Sequence, residues 1–181
     1  MKKLCIIFLL SIIIILTAVG SVGDAGGGKG AQTEYLRMHV RANSDEKEDQ
    51  AVKYMVRDAL VQYLTPIVAE CTSREVAERA IRAHTEQLEN EAKRVLRLQG
   101  FSYGASAEVK WEVFPTRVYD GYVLEAGEYL SLIVLLGEGA GANWWCVVYP
   151  PLCFAAPSGG NVKYKSKILE VIERWKKERA R

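Results

Sequence analysis

The stretch Thr33–Ala42, TEYLRMHVRA, decides the beginning of the fold. Apolar side chains occupy every second position, at Leu36, Met38 and Val40. Tyr35, Arg37, His39 and Arg41 fill the positions between them. Because successive side chains of a strand point to opposite faces, this alternation predicts a strand with one face in a core and the other partly open.

The residues that follow predict two long helices. NSDEKED (Asn43–Asp49) stops the strand, and Asp45 with Glu48 has the spacing of a helix capping box. One apolar stripe then recurs every three or four residues, at Val52, Met55, Val56, Ala59, Leu60, Tyr63 and Leu64. Pro66 is expected to end or kink this helix. A second stripe follows Thr72, at Ala77, Ala80, Ile81, Leu88, Ala92, Val95 and Leu96, with Gly100 as its cap.

The remainder of the domain has the pattern of strands. Ser106–Phe114 alternates, Tyr129–Gly137 is apolar enough for a strand buried on both faces, and Asn143–Tyr149 is a further strand. Turns are expected at Asp120-Gly121 and Ala126-Gly127. The sequence therefore predicts an α+β fold with a largely antiparallel sheet packed by two long amphipathic helices, in the order β-α-α-β-β-β-β.

The N-terminal segment carries an export pattern. Lys2 and Lys3 precede an apolar run from Leu4 to Val19, and small residues follow. Residues 1–22 are predicted to be a secretory signal, with an uncleaved membrane anchor as the alternative, because the run is short of the about 20 residues that span a membrane. Residues 23–32 form a Gly-rich linker, and one domain spans 33–157.

The C-terminal residues 158–181 are predicted to be a hinge and a basic amphipathic tail. Ile168, Val171, Ile172 and Trp175 share one helical face among lysines and arginines. Residues 161–181 are therefore expected to contact an anionic membrane, to dock on their own domain or to stay solvated. Apart from Lys2 and Lys3, the 22 basic residues match the 22 acidic ones. The domain thus lacks the broadly basic surface of a nucleic-acid-binding protein.

The segment GEGAGANWWCVVYPPLCF, Gly137–Phe154, holds most of the candidate functional residues. Its glycines, Gly137, Gly139 and Gly141, follow a strand but precede no helix, so a mobile hairpin loop is expected, not a phosphate or cofactor site. Trp144 and Trp145 must point to opposite faces of their strand. One ring can enter the core, and the other is left to a partner or to a covering segment.

The cysteines and histidines leave two questions open. Cys146 and Cys153 bracket Pro150-Pro151 and are expected to form a disulfide in an exported protein, with two buried free thiols as the alternative. Two histidines are too few for an ordinary zinc site. One alternative function is a secreted Cys/His hydrolase that uses Cys71 or Cys146 with His39 or His84, although neither histidine has a specific catalytic pattern around it. The other is a non-enzymatic protein that binds the cell envelope or membrane through its basic tail.

Three features together resemble the stage II sporulation protein R family of endospore-forming bacteria. They are RMHVRANSDEKEDQAVKYMVRD (Arg37–Asp58), the stretch from Phe114 to Phe154 and the export signal. The resemblance implies a non-enzymatic protein, made in the forespore and secreted into the space between the forespore and mother-cell membranes. There it would activate a membrane-embedded aspartic protease of the mother cell, which removes the pro-sequence of sigma E.

A protein that signals by contact needs a rigid surface with aromatic anchors. The surface is expected to combine the loop Gly137, Gly139 and Gly141 with Asn143, one of Trp144 and Trp145, and the pair Pro150-Pro151. Arg117 and Tyr119 are weaker candidates. No catalytic, cofactor-binding or metal-ligating residue is predicted.

Overall fold

The computed structural model describes residues 33–119, 122–154 and 162–180. The predicted signal, linker, hinge and Asp120-Gly121 turn lie outside the described residues. The elements are β1 (Leu36–Arg41), α1 (Lys47–Ala69), α2 (Arg74–Ala83), α3 (Thr85–Leu98), β2 (Ala105–Phe114), β3 (Arg117–Tyr119), β4 (Tyr122–Leu124), β5 (Gly127–Leu136), β6 (Asn143–Tyr149), a 3-10 turn (Leu152–Phe154) and α4 (Val162–Arg179). Within these ranges, no helix has the length and apolar character needed to cross a membrane.

The main sheet has four strands in the order β2-β5-β1-β6. β5 pairs antiparallel with β2, and β6 pairs antiparallel with β1. The central pair, β1 and β5, is parallel, with Leu36 opposite Leu130. β3 and β4 form a separate two-stranded antiparallel ribbon. The predicted α+β fold with a largely antiparallel sheet is therefore confirmed.

The helical layer differs from the prediction in two places. α1 continues past Pro66 to Ala69. The second predicted helix is two helices, α2 and α3, because the chain leaves helical geometry at His84, with φ −108° and ψ 9°. The His84 ring is held by the Tyr63 hydroxyl, 2.8 Å from Nδ1. The break allows Ile81 of α2 and Leu88 of α3 both to be fully buried in one core.

The sheet is covered on both faces. On one face, β1, β5 and β6 pack against α1, α2 and α3 in the larger core. On the other, a smaller cluster contains Tyr35, Phe114, Leu124, Tyr129, Val147 and Trp175. The expectation that the polar face of β1 is partly open is wrong, since Arg37 is 0% and His39 1% exposed. The ribbon and α4 contribute Leu124 and Trp175 to the covering cluster.

α4 is the predicted C-terminal amphipathic helix, and it docks on its own domain. Val171, Ile172 and Trp175 are buried. The Trp175 ring packs edge-on against Tyr35 at 5.9 Å and Tyr122 at 5.3 Å between centroids. These buried side chains belong to the face that a membrane would have to contact.

The loop between β5 and β6 is tightly held against the end of β1. β5 and β6 are not neighbours in the sheet, so the loop is not the expected hairpin. The backbone N–H groups of Ala140 and Gly141 donate to the carbonyls of Asn43 (3.0 Å) and Ala42 (2.9 Å). A Cβ atom on Gly141 would lie 2.1 Å from the carbonyl oxygen of Ser44. A glycine is therefore required at position 141 by the close approach of the two backbones.

The carboxylate of Asp49 organises the same corner. Its Oδ2 accepts hydrogen bonds from Ser44 Oγ (2.6 Å) and Asn43 Nδ2 (2.8 Å), and its Oδ1 accepts one from the Tyr103 hydroxyl (2.5 Å). Burial raises the pKa of Asp49, but the hydrogen bonds from Ser44, Tyr103 and Asn43 outweigh burial and hold the pKa below its usual value.

Asp45 contributes to this corner in a way that differs from its predicted role as a helix cap. α1 has Glu46 at its N-cap position and no side-chain capping bond there. Instead, Asp45 Oδ1 accepts a hydrogen bond from the backbone N–H of Ala142 at 2.7 Å. The residue therefore ties the β5–β6 loop to the start of α1.

We expect Gly141→Ala to lower the free energy of unfolding by about 1–3 kcal/mol, because the added methyl overlaps the Ser44 backbone. Gly104→Ala is the matched control, since its Cβ would meet only Lys93 Cε at 3.8 Å. Urea unfolding followed by circular dichroism measures both. Equal stability of the two variants would contradict the close approach.

We expect Asp49→Asn to lower the free energy of unfolding by about 1–3 kcal/mol at pH 7, because three donors lose a charged acceptor. Since the pKa of Asp49 is lower in the folded state, its ionised form stabilises the fold above the unfolded-state pKa of about 3.9. That contribution is lost as the pH falls through the folded-state pKa.

Urea unfolding between pH 3 and pH 7 checks this expectation. The stability of Asp49→Asn should fall less steeply with acid than that of the wild type. Asp58→Asn removes a carboxylate that is half exposed and pairs with the adjacent Arg57, so it serves as the control. Parallel pH curves for the wild type and Asp49→Asn would rule out this role.

Candidate functional site: a basic and aromatic sheet face

Most of the candidate residues meet on the sheet face that points away from α1, α2 and α3. We call this surface the basic face and define it by eight residues, namely Arg37, His39, Glu112, Phe114, Asn143, Trp145, Arg117 and Tyr119. The first six are on the main sheet, and the last two are on β3 of the ribbon. β1 supplies Arg37 and His39 at alternate positions, which places both side chains on one face.

Arg37 is fully buried among aromatic rings. Its Cζ lies 4.0 Å from the centroid of Phe114 and 4.7 Å from that of Tyr129. Its Nη2 donates a hydrogen bond to the Tyr119 hydroxyl at 3.0 Å. Burial lowers the pKa of Arg37, an effect that Tyr119 opposes, and the guanidinium remains charged. In the part of the chain that the structure describes, aromatic faces and not a carboxylate therefore surround this cation.

His39 joins the central strand to both edges of the sheet. Its Nε2 lies 2.6 Å from Glu112 Oε2 on β2, and its Nδ1 lies 2.7 Å from Asn143 Oδ1 on β6. The ring is stacked 5.0 Å from Trp145 and meets Phe114 edge-on at 5.6 Å. Both nitrogens and both ring faces are thus engaged, which fixes the orientation of the imidazole.

Trp144 and Trp145 point to opposite faces of β6, as strand geometry requires. Trp145 lies on the basic face, where its ring is 4.8 Å from Phe114 and Arg117 Cζ is 5.5 Å above it. Trp144 packs against the larger core, with Arg57 Cζ 5.4 Å from its ring. Both rings are half-buried, so each keeps an accessible edge.

The remaining predicted surface residues do not belong to the basic face. Gly139 and Gly141 are buried where the loop packs on the end of β1, and only Gly137 of the three glycines is exposed. Pro150 and Pro151, which were expected to contribute to the surface, are buried as well. Their carbonyls accept hydrogen bonds from Leu152 and Phe154, which turns the chain inward after β6.

The described cysteines have structural roles. Cys146 and Cys153 are joined by a disulfide with their Cα atoms 5.9 Å apart. Cys71 is free and buried, and its thiol donates to the Ile67 carbonyl at 3.3 Å. Burial raises the pKa of Cys71, whereas a catalytic cysteine needs a lowered one. Among the described residues, neither His39 nor His84 is hydrogen-bonded to a cysteine.

The sequence reasoning missed Arg37, Glu112 and Phe114 as members of the site. The alternation in the first strand did mark Arg37, but a polar residue at such a position was expected to face solvent. Glu112 alternates with the apolar residues of β2 in the same way.

The comparisons with known proteins agree on one family. The family model for "Stage II sporulation protein R (spore_II_R)" matches residues 32–158, which include the whole basic face and end before α4. The curated Stage II sporulation protein R of Bacillus subtilis (strain 168) is 37% identical over 158 residues, covering 79% of this chain and 70% of that protein. No solved structure matches the chain. On this evidence, the chain belongs to the stage II sporulation protein R family.

Proposed function

We propose that this protein is an exported signal of sporulation that activates a membrane-embedded aspartic protease of the mother cell. The protease then removes the pro-sequence of the mother-cell sigma factor, sigma E. The observation that carries the proposal is the family match over residues 32–158. In this proposal the protein acts by contact and performs no chemistry itself.

The N-terminal sequence and the disulfide support the location in which the signal would act. Lys2, Lys3 and the apolar run after them have the pattern of a secretory signal. The disulfide between Cys146 and Cys153 is of a kind that persists in oxidising compartments outside the cytoplasm. Both features suit the space between the forespore and mother-cell membranes.

The basic face supports action by contact. Arginine and tryptophan are the residue types that most often dominate protein interfaces, and here Arg117 lies over the ring of Trp145. The side chains beneath them are fixed by the bonds of His39 to both sheet edges. The part of this surface on the main sheet is held rigidly and therefore loses little conformational entropy on binding.

Beside this surface, the ribbon exposes a pair of apolar side chains. Val118 is 65% and Val123 55% exposed, and the two are directly opposite each other in the β3–β4 pairing. In the proposed complex, a partner that covers Trp145 and Arg117 also covers this pair. The ribbon would then contribute apolar contact area next to the cationic group.

Reconstitution tests the proposal directly. Membrane vesicles that carry the protease in the bilayer and the sigma E precursor inside receive the purified chain without residues 1–22 on their outer side. We expect the precursor to be shortened only when the chain is present and the protease has its active-site aspartates. Absence of processing, or processing by the chain without the protease, would overturn the proposal.

We expect Trp145→Ala to raise the concentration for half-maximal activation about thirty-fold, which corresponds to about 2 kcal/mol of binding. Arg117→Ala tests the same surface with an exposed residue whose removal leaves the core intact. Trp111→Ala is the control, because Trp111 is 47% exposed on β2 outside the basic face. If folded Trp145→Ala and Arg117→Ala both activate like Trp111→Ala, the partner binds elsewhere.

A further inference from the structure

Arg37 is a buried cation with unsatisfied hydrogen-bond donors. It is 0% exposed, and its Nε and Nη1 have no hydrogen-bond partner among the described residues. Since Nε carries one N–H and Nη1 two, three of the five donors of the guanidinium are unused. Buried polar groups in folded proteins are nearly always paired, and a charged one without a partner destabilises the fold. The rings of Phe114 and Tyr129 stabilise the charge, but the described residues give these donors no acceptor.

A second cation stands beside Arg37. Arg117 is exposed, and its Nη1 donates only to the neighbouring carbonyl of Thr116, at 3.1 Å. The two guanidinium groups repel each other, and in addition to burial the charge of Arg117 therefore contributes to lowering the pKa of Arg37. Within the described ranges, neither arginine forms an ion pair. Glu112 is already paired with His39, and Glu125 accepts a hydrogen bond from the Thr116 hydroxyl.

The ribbon is the part of the structure that covers Arg37. β3 and β4 pair only with each other, over three residue pairs, and form a sheet of their own. A two-stranded ribbon of this size has little stability by itself. On its inner side, Tyr119 contacts Arg37 through a single hydrogen bond and its ring. Displacement of Tyr119 would open the unused donors of Arg37 to a ligand.

We propose that the ribbon is a lid over an anion site, in which Arg37 and Arg117 bind a carboxylate side chain of the protein partner. This inference rests on the proposed function, because it deepens the description of the surface that the partner contacts. A carboxylate supplies the charge and the acceptors that both guanidinium groups lack. The rings of Phe114 and Trp145 exclude water, which strengthens such a charge-assisted bond.

The aromatic walls also favour an acidic side chain of a peptide over a free inorganic ion. The short aliphatic stem of a glutamate or aspartate can pack on these rings while its carboxylate reaches the arginines. A free phosphate has no apolar part to bury against them. The partner segment is therefore expected to be acidic and to enter beneath the ribbon next to Trp145.

Nuclear magnetic resonance of the purified chain tests the site without any protease. The probes are acetyl-Gly-Glu-Gly-amide, the matched acetyl-Gly-Gln-Gly-amide and inorganic phosphate. We expect the glutamate peptide alone to shift the Nε–H resonance of Arg37 and the indole N–H of Trp145. The Arg37 resonance is assigned by its loss in Arg37→Met. No shift, equal shifts by both peptides, or a shift by phosphate without one by the glutamate peptide would overturn the proposal.

Variants complete the test in the vesicle assay. Arg37→Met keeps the volume and removes the buried charge, so it should unfold at the wild-type temperature or higher. Arg117→Gln changes an exposed residue and keeps the inference testable if Arg37→Met does not fold. Arg37→Met and Arg117→Gln should each raise the Kd for the glutamate peptide and the concentration for half-maximal activation by about tenfold or more. Arg97→Gln, on the exposed side of α3, should change neither.

The two proposals fail in different ways. If the wild type does not activate the protease but binds the glutamate peptide, the proposed function is wrong and the anion site stands. If the wild type activates the protease and both folded variants activate it equally well, the anion site is wrong and the proposed function stands.

Discussion

The buried carboxylate of Asp49 holds together the corner on which the rest of the structure depends. It receives donors from the end of β1 and from Tyr103, which precedes β2. The oriented Asn43 side chain in turn accepts the backbone N–H of Glu138 at 3.0 Å, in the loop that leads to β6. The Asp49 carboxylate of α1 is therefore bonded to the residues after β1 and, through Asn43, to the β5–β6 loop. The loop held at this corner leads into β6, and β6 carries Asn143 and Trp145 to the basic face.

The sequence predicted the features that follow from hydrophobic periodicity. The alternation at Leu36, Met38 and Val40 gave β1, and the stripe from Val52 to Leu64 gave α1. Periodicity describes one element at a time, so it could not reveal that β1 and β5 lie side by side and parallel. For the same reason it placed Asp45 as a cap for its own helix, whereas the structure uses it for a loop almost a hundred positions later. The break at His84 depends on Tyr63 of another helix and had no local signal.

Periodicity was also insufficient to predict which charged residues form the basic face. The sequence named Asn143, Trp145, Arg117 and Tyr119 individually, and the structure brings these four together. It did not name Arg37, because a charged residue on a strand is normally assigned to solvent. Here aromatic rings take the place of both solvent and counter-ion around the guanidinium. Cations stacked on rings keep their charge, so this face combines aromatic packing around Arg37 with the pairing of His39 and Glu112.

The position of β1 in the sheet has a consequence for how the chain reaches its native state. β1 comes first in the domain, yet both its sheet partners, β5 and β6, come near the end. Sheet closure must therefore wait until almost all of the domain has been synthesised, and pairings so distant along the chain form slowly. The strand order that makes the domain rigid once assembled thus also delays its assembly.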